Sequence, residues 1–498
     1  MITLQRPDAK VSIMLGKNKQ LTEGDMIRPS IYAIPFALKK RSVIYNSLTQ
    51  QCIESKYYDW FKNCELKKYD PKDSEMRLLV ETDYLVPDKC DEATRYDRLI
   101  NMIRLIEKQK SGYTSYTILP TTACNARCTY CYEAGISYDS MSDEVIDNTI
   151  RYIKATSMKD EMINIHWFGG EPLMGEDIID KICAGISNCG IEFTSRVTSN
   201  GSLLTAEIID KMKKNWKVER VQITLDGREE EYCKRKRYVS FNGSPYRAVF
   251  EGIRLLLQSD IRVDLRLNVD EKNVEELHLL IDELDSEFNE KDNIGLYAHE
   301  IYGADEDDQT DVDAFYAGLA KLNQRICDFL ADDKEAKADE TAFYDKKGRT
   351  SRYFCGADAP MASPVIAPDG SLYLCENIVD VDMNSTVGDC TIIDKDRFIS
   401  RKRIDSPKCR TCSMLPICTD FSSCPEKMKD CFKYRESKLR RSIMGLDSQT
   451  KLPPVKICWK GTVVRIVEPT EAFVIEHQDL LVPDYQKAEK TMEMSGLA

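Results

Sequence analysis

Between residues 115 and 303 the hydrophobic period of the chain switches repeatedly between two and about 3.6, and this alternation narrows the fold more than any other feature. Strand-like runs rich in β-branched and aromatic residues occur at SYTILPTT (115–122), MINIHWFGG (162–170), IEFTSRVTSN (191–200), KVERVQITLDG (217–227), IRVDLRLNVD (261–270) and NIGLYAHEIYG (293–303). Between them lie amphipathic segments, SDEVIDNTIRYIKATS, GEDIIDKICAGIS, TAEIIDKMKKNW, YRAVFEGIRLLLQ and NVEELHLLIDELDSEF. Ser142 and Asp143, then Thr205, offer short polar side chains to the free N–H groups of a helix start. Such βα repeats require a parallel sheet with right-handed crossovers. Six strands do not close an eight-stranded barrel, and periodicity alone also permits an open doubly wound sheet. In either arrangement ligands gather at the carboxyl ends of the strands.

The first of those ends carries TTACNARCTYCYE (121–133), in which Cys124, Cys128 and Cys131 are spaced C-x3-C-x2-C. Tetrahedral zinc takes four N/S ligands, usually as two paired half-sites. Three thiolates on one loop fit a 4Fe–4S cluster better, holding three irons and leaving the fourth free for a substrate or cofactor. A zinc knuckle or three buried thiols are the alternatives. FGGEP (Phe168 to Pro172) ends the second run; Gly169 and Gly170 let backbone approach a ligand closely, and Glu171 can accept from an ammonium group. An ordinary Gly-Gly turn is the alternative there. TSNG (198–201) ends the third run, and TLDG (224–227) ends the fourth, followed by the basic stretch EEYCKRKRY. Arg266 and Asn268 alternate on the fifth and can share one face.

Tyr130, the aromatic residue before the third cysteine, completes a C-x3-C-x-aromatic-C pattern, and here the chain resembles the radical S-adenosylmethionine (SAM) superfamily. The resemblance implies an α/β fold, a partial (β/α)6 barrel over 112–345, in which SAM chelates the free iron through its amino and carboxylate groups. One electron then cleaves the sulfonium S–C5′ bond, leaving methionine and a 5′-deoxyadenosyl radical able to abstract hydrogen from an unactivated carbon. By the same resemblance Gly169, Gly170 and Glu171 look like the motif that holds the amino group of SAM. Ser199 and Asn200 look like small polar residues near its ribose and carboxylate. Lys236, with Arg237 close behind, looks like the basic residue that meets the carboxylate, although relatives carry arginine there.

Eight of the 19 cysteines fall between Cys355 and Cys431, which in a long chain reads as metal ligation more readily than as disulfides. Cys355, Gly370, Cys375, Cys409, Cys412, Cys418, Cys424 and Cys431 follow in order the pattern of the SPASM extension of radical SAM enzymes, with one step lengthened from three residues to five. That resemblance implies a Cys-rich auxiliary-cluster domain over 346–435 and three 4Fe–4S clusters in all. Auxiliary cluster I would take Cys355, Cys375 and Cys424, and auxiliary cluster II would take Cys409, Cys412, Cys418 and Cys431. The first set has three cysteines, leaving an open iron unless Cys390 or a substrate thiolate closes it. Paired structural zinc sites are the alternative.

Residues 1–95 resemble the winged-helix-like module that binds leader peptides ahead of many peptide-modifying relatives. Its segments are strand-like IYAIPFAL and SVIYNSLTQQCIE and helix-like KYYDWFKNC and SEMRLLVETDYLV, and such a module takes an extended leader by strand addition. A plain cap on the barrel is the alternative. A linker helix over 96–111 and a tail over 436–498 without assignable chemistry complete the chain. The charge-rich stretches 305–311 and 331–341 read as solvated loops. A net charge of −13 argues against non-specific nucleic-acid binding. No run is long and apolar enough for a membrane span, and no signal peptide is visible, so a reducing cytoplasm is expected.

The function these features lead to is oxidative maturation of a ribosomally made precursor peptide, by a thioether from a cysteine sulfur to a carbon. An external flavodoxin or ferredoxin would supply the electron. Side-chain oxidation of the kind that makes formylglycine in sulfatases, and electron transfer or binding without SAM chemistry, are the alternatives. No general base can be named from the sequence.

Overall fold

The computed structural model describes residues 21–38, 41–48, 51–96, 112–131, 133–135, 137–239, 241–288, 293–301, 312–330, 363–373, 376, 379, 388–392 and 410–417. The chain divides into two compact units, one formed by 1–109, 339–360 and 400–498, the other by 110–338 and 361–399.

In the first unit β1 (Met26–Pro29), β2 (Ala33–Ala37), β3 (Ser42–Asn46), β4 (Gln51–Ile53), α1 (Tyr58–Asn63), β5 (Lys67–Lys68), α2 (Ser74–Glu81) and β6 (Leu85–Pro87) build two three-stranded antiparallel sheets, ordered β5-β1-β6 and β2-β3-β4. The run SVIYNSLTQQCIE is two strands rather than one. The chain turns after Asn46, whose side chain accepts from Leu48 N (2.9 Å) and donates to Asp83 O (2.8 Å). The helix expected to continue through Val86 stops at Glu81. Asp83 adopts a left-handed φ of +61°, and Leu85–Pro87 pairs with β1 instead. α2 starts where it should, with Asp73 accepting from Glu75 N and Met76 N. Trp60, Phe61, Met76, Leu79, Tyr84 and Leu85 pack around Ile27, Ile44 and Ile53.

Onto the β2-β3 sheet packs the segment 410–417, with Met414 fully buried against Ile34, Phe36 and Val43. Cys412 joins the edge of this cluster, and Ser47 Oγ donates to Ser413 O at 2.5 Å. The other six cysteines expected to hold auxiliary clusters, Cys355, Cys375, Cys409, Cys418, Cys424 and Cys431, lie outside the described residues. So do residues 97–111 of the expected linker helix, the described chain being helical over 92–96 just before them, and the whole of the 436–498 tail.

The second unit contains β7 (Ser115–Ile118), α3 (Asp143–Thr156), β8 (Ile163–Trp167), α4 (Glu176–Asn188), β9 (Phe193–Ser199), α5 (Ala206–Lys214), β10 (Val218–Leu225), α6 (Glu229–Lys236), α7 (Pro245–Gln258), β11 (Arg262–Val269), α8 (Val274–Glu287), β12 (Ile294–Glu300) and α9 (Val312–Leu330). After these come the short strands β13 (Val365–Ile366), β14 (Ser371–Tyr373) and β15 (Gly388–Asp389). All six expected strands are present. They lie side by side in sequence order, β12-β11-β10-β9-β8-β7, and every pair is parallel. A doubly wound sheet would reverse its strand order part-way across. Here no reversal occurs, so right-handed crossovers place the helices on one face and leave the other without helices, as in a partial barrel.

Ser142 and Thr205 cap α3 and α5, accepting from Val145 N and Ile208 N, while Asp143 sits inside the first turn of α3. On the helix-covered face Ile165, Trp167, Val197, Ile223, Leu265 and Leu267 are fully buried. Beyond β7 the sheet continues through β13, which is parallel to β7, and then through the antiparallel hairpin β13-β14 and β15. The hairpin turns at Gly370, whose φ of +90° favours glycine, and a Cβ there would lie 3.1 Å from Cys390 Sγ.

Truncating Met414 to alanine should cost about 2–5 kcal/mol. The change is read as a lower urea midpoint, whereas Leu66→Ala, at a side chain that is half exposed, should leave the midpoint nearly unchanged.

Candidate active site

The strand order brings the loop after β7, FGGEP after β8, SNG after β9 and LDG after β10 to neighbouring positions at one end of the sheet. The cysteine loop is held there by backbone on two sides. On one side Thr122 N donates to Asp139 O (2.9 Å), and the Thr121 and Thr122 hydroxyls donate to Asp139 O and Ser137 O. On the other the loop rides on the end of α6. Arg127 N donates to Lys236 O (2.8 Å), Thr129 N to Arg235 O (3.0 Å) and Val239 N to Asn125 O (2.8 Å). α6 is itself pinned by Arg235, which makes two 2.8 Å contacts to Asp270 and one of 2.6 Å to Glu231.

Within this frame Cys124, Cys128 and Cys131 are half-buried thiols. Burial pushes Cys124 up to about 12 and raises Cys128 and Cys131, so metal uptake must displace protons. Among the described residues no three His, Cys, Asp or Glu side chains converge as one ion would require. A three-thiol donor set on one braced loop fits a cluster whose irons are separate, each thiolate holding a different iron.

Gly169 and Gly170 make a close approach to the cysteine loop itself. A Cβ at Gly169, where φ is +118°, would collide with Thr121 O, and one at Gly170 with Thr122 O and Ala123 O. Glu171 N donates to Ala123 O at 2.8 Å. The Glu171 side chain, expected to meet an ammonium, is 0% exposed and holds three donors of the protein itself. It accepts from Leu173 N (3.1 Å), Ser199 Oγ (2.9 Å) and Asn200 N (2.7 Å). Burial raises its carboxyl to about 7, against the pull of those donors. Asn200 braces the loop from the other side, donating to Asn125 Oδ1 at 2.8 Å and lying 3.9 Å from Cys124 Sγ.

Lys236 and Tyr130 meet at a residue the sequence did not single out, Asp226 of TLDG. Tyr130 Oη lies 2.8 Å from each Asp226 carboxylate oxygen, and Asn268 Nδ2 donates to it at 3.0 Å. Lys236, 2% exposed, sits 3.4 Å from Asp226 and donates to Thr224 Oγ1 at 2.5 Å. Burial works against its charge, but Asp226 and its neighbours hold its pKa well above the usual lysine value. Arg237, the second candidate for this position, is exposed. The only sequence signal for Asp226 was its place at a strand end.

Cys390, considered as a fourth ligand for auxiliary cluster I, is 2% exposed behind Gly370, and burial pushes its thiol up to about 11. These are the surroundings of a packed core thiol. Cys390→Ala should therefore leave the iron bound per chain unchanged in reconstituted protein. Asp226→Asn should cost about 3–5 kcal/mol by leaving Lys236 buried without its counter-charge. Thermal unfolding of the metal-free protein measures this, and adding Lys236→Met should recover much of the loss.

Residues 118–284 match the family model described as the radical SAM superfamily. The AdoMet-dependent heme synthase of Methanosarcina barkeri is 28% identical over 161 residues, 32% of this chain and 43% of that protein. The serine-type anaerobic sulfatase-maturating enzyme of Klebsiella aerogenes is 23% identical over 328 residues, 61% of this chain and 77% of that enzyme. The chain thus spans less than half the length of the first of these relatives. A solved structure, native anSMEcpe with bound AdoMet and Kp18Cys peptide, superposes with a TM-score of 0.49 at 16% identity, covering 67% of this chain and 96% of that one. With three thiols on a braced loop at the head of a singly wound parallel sheet, and the matched residues spanning that loop and the four strands β8 to β11, the chain carries a domain of the radical SAM superfamily.

Proposed function

We propose that this chain is a radical SAM maturase that oxidatively cross-links a ribosomally synthesised peptide, joining a cysteine sulfur to a carbon. The observation that carries the reading is the convergence of Gly169–Glu171, Ser199, Asn200, Tyr130 and Lys236 on the loop bearing Cys124, Cys128 and Cys131. Those three thiolates would hold a 4Fe–4S cluster, which when bound supplies one electron to the S–C5′ bond of SAM. Glu171 and Asn200 fix the loop against β9, and Asp226 fixes Tyr130 and Lys236 beneath it. Lys236 would be the cation that meets the SAM carboxylate, and the backbone of Gly169 and Gly170 would neighbour its amino group. Cross-linking removes two electrons from the peptide, and the cysteines from Cys355 to Cys431 would hold clusters able to take the second. In the first unit β2 and β4 are the sheet edges to which an extended leader would add. The electron would come from a flavodoxin or ferredoxin in a reducing cytoplasm.

Oxidation of a protein side chain is the second reading, favoured by the 328-residue alignment with the sulfatase-maturating enzyme. Anaerobic, reduced, reconstituted protein should form 5′-deoxyadenosine from SAM, and Cys124→Ala/Cys128→Ala/Cys131→Ala should bring that to background. Turnover surviving in the triple variant would refute SAM cleavage at this loop. With a cysteine-containing precursor peptide, loss of two hydrogens together with loss of an alkylatable thiol marks the cross-link. A product captured by a hydrazide marks the side-chain aldehyde instead.

A further inference from the structure

The sheet face left free of helices is polar, and its middle is cationic in a way that cluster and SAM binding do not explain. Parallel register sets Arg196 of β9 beside Arg220 of β10, and Arg220 beside Arg262 of β11. Three guanidinium groups therefore stand in one row across three adjacent strands, with Arg266 further along β11 on the same face. Like charges facing each other across strands destabilise a sheet. Among the described residues one carboxylate, Asp264, lies within ion-pair distance of the row, at 2.9 Å from Arg262 and 3.3 Å from Arg220. β12 gives up a side chain to make room for it, since a Cβ at Gly295 would collide with both Asp264 and Arg262.

Arg196 and Arg266 have no carboxylate within ion-pair distance among the described residues. Arg196 Nη2 lies 3.4 Å from His166 Nδ1, while Arg266 donates to Asn268 Oδ1 and reaches His299 Nδ1, both at 3.0 Å. His166 cannot supply or compensate charge here, because burial and Arg196 hold it neutral with a pKa of about 3. Burial lowers the pKa of Arg196 too; Glu376 offsets that from a distance and Arg220 adds to it. The row is accessible: Arg196 keeps exposed surface although its guanidinium packs partly against His166, and the Arg220 and Arg262 side chains are about half exposed. At about 3.3 Å per residue, Arg196 stands about 10 Å along β9 from Ser199 at the SAM end. A substrate lying along this face could place one group on the row and another beneath the cysteine loop.

We propose that Arg196, Arg220, Arg262 and Arg266 form the substrate wall of the barrel and bind the carboxylates of an acidic segment in the peptide to be modified. This rests on the peptide-modifying reading above. Guanidinium forks pair with carboxylates in two-point contacts, and a face lined by one sign of charge concentrates the opposite sign. Phosphate oxygens share that chemistry, so the test includes them.

The reconstituted holoprotein is titrated with an acetylated peptide of four Gly-Glu repeats carrying an uncharged dye, and with its Gly-Gln counterpart, by fluorescence anisotropy. Inorganic tripolyphosphate serves as the competing anion. The expected result is binding of the Glu peptide at least tenfold tighter than the Gln peptide, weakened by salt. Arg196→Gln/Arg220→Gln should abolish that preference and Arg196→Lys/Arg220→Lys should retain much of it, so a loss due only to misfolding would appear in both pairs. Equal binding of the two peptides, an undiminished preference in the Gln variant, or tripolyphosphate binding without Glu-peptide binding would each overturn the assignment. 5′-Deoxyadenosine formation by the wild type, measured in parallel, separates the two levels. Its absence sinks the radical SAM reading, whereas its presence without a Glu preference sinks only the acidic substrate.

Discussion

The geometry of the site depends on one constraint: a loop that offers three sulfurs must spend its own backbone polar groups on neighbours. Buried N–H and C=O groups left unpaired are costly, and a thiol-bearing loop has no helix or sheet of its own to satisfy them. Here the end of α6 supplies carbonyls to Arg127 N and Thr129 N, while the chain at 137–139 serves Thr122. Gly169 and Gly170 complete the arrangement, because only residues without a Cβ fit against the carbonyls of Thr121 to Ala123. The loop is thus braced by the protein's own backbone, which is how a site holds its ligands to a narrow geometry.

Three buried ionisable groups sit beneath that brace, and they are retained at an energetic cost. Glu171 is sealed from water and its carboxyl is pushed upward, yet it joins the ends of β8 and β9 through three donors. Asp226 and Lys236 form an ion pair with almost no solvent contact, an arrangement that well-packed apolar residues often match for stability. What it gives in return is position: Asp226 takes both the Tyr130 hydroxyl and the Lys236 ammonium, and so ties the cysteine loop to β10 and α6. A lysine can do this as a compact charge, 5.7 Å from the centres of the Tyr130 and Tyr232 rings, where the planar fork of an arginine would need more room.

The six strands, the cysteine loop and the glycine motif were legible because hydrophobic period and spacing are local properties. α6 was not, since EEEYCKRK has hardly any apolar face to reveal a helical period; its stability comes from Arg235 clamped between Glu231 and Asp270, a residue 35 positions away. The early stop of α2 was hidden for a similar reason: TDYLV is apolar enough to prolong a helix, and only pairing with β1 turns it into a strand. Asp226 looked like a turn residue until the fold brought Tyr130 to it from 96 positions away. The arginine row is the strongest case, because no local pattern relates Arg196, Arg220 and Arg262; parallel register alone aligns them.

One sequence signal did point to the polar face that carries that row. Parallel strands covered on both faces read as unbroken apolar runs, whereas RVDLRLNV in β11 alternates apolar and polar residues like a strand with one wet face. The singly wound order explains the alternation: every crossover helix lies on one side, so among the described residues the polar side chains face away from the crossover helices. An uncovered face needs only to be polar, and Thr, Ser or Gln would satisfy that at less cost than guanidinium groups set side by side. The chain as a whole carries a net charge of −13 and would repel an acidic peptide at long range, but salt confines such fields to about 8–10 Å. A local excess of arginine inside an acidic protein therefore acts only on what has already entered, so it selects among bound segments rather than drawing them in from solution.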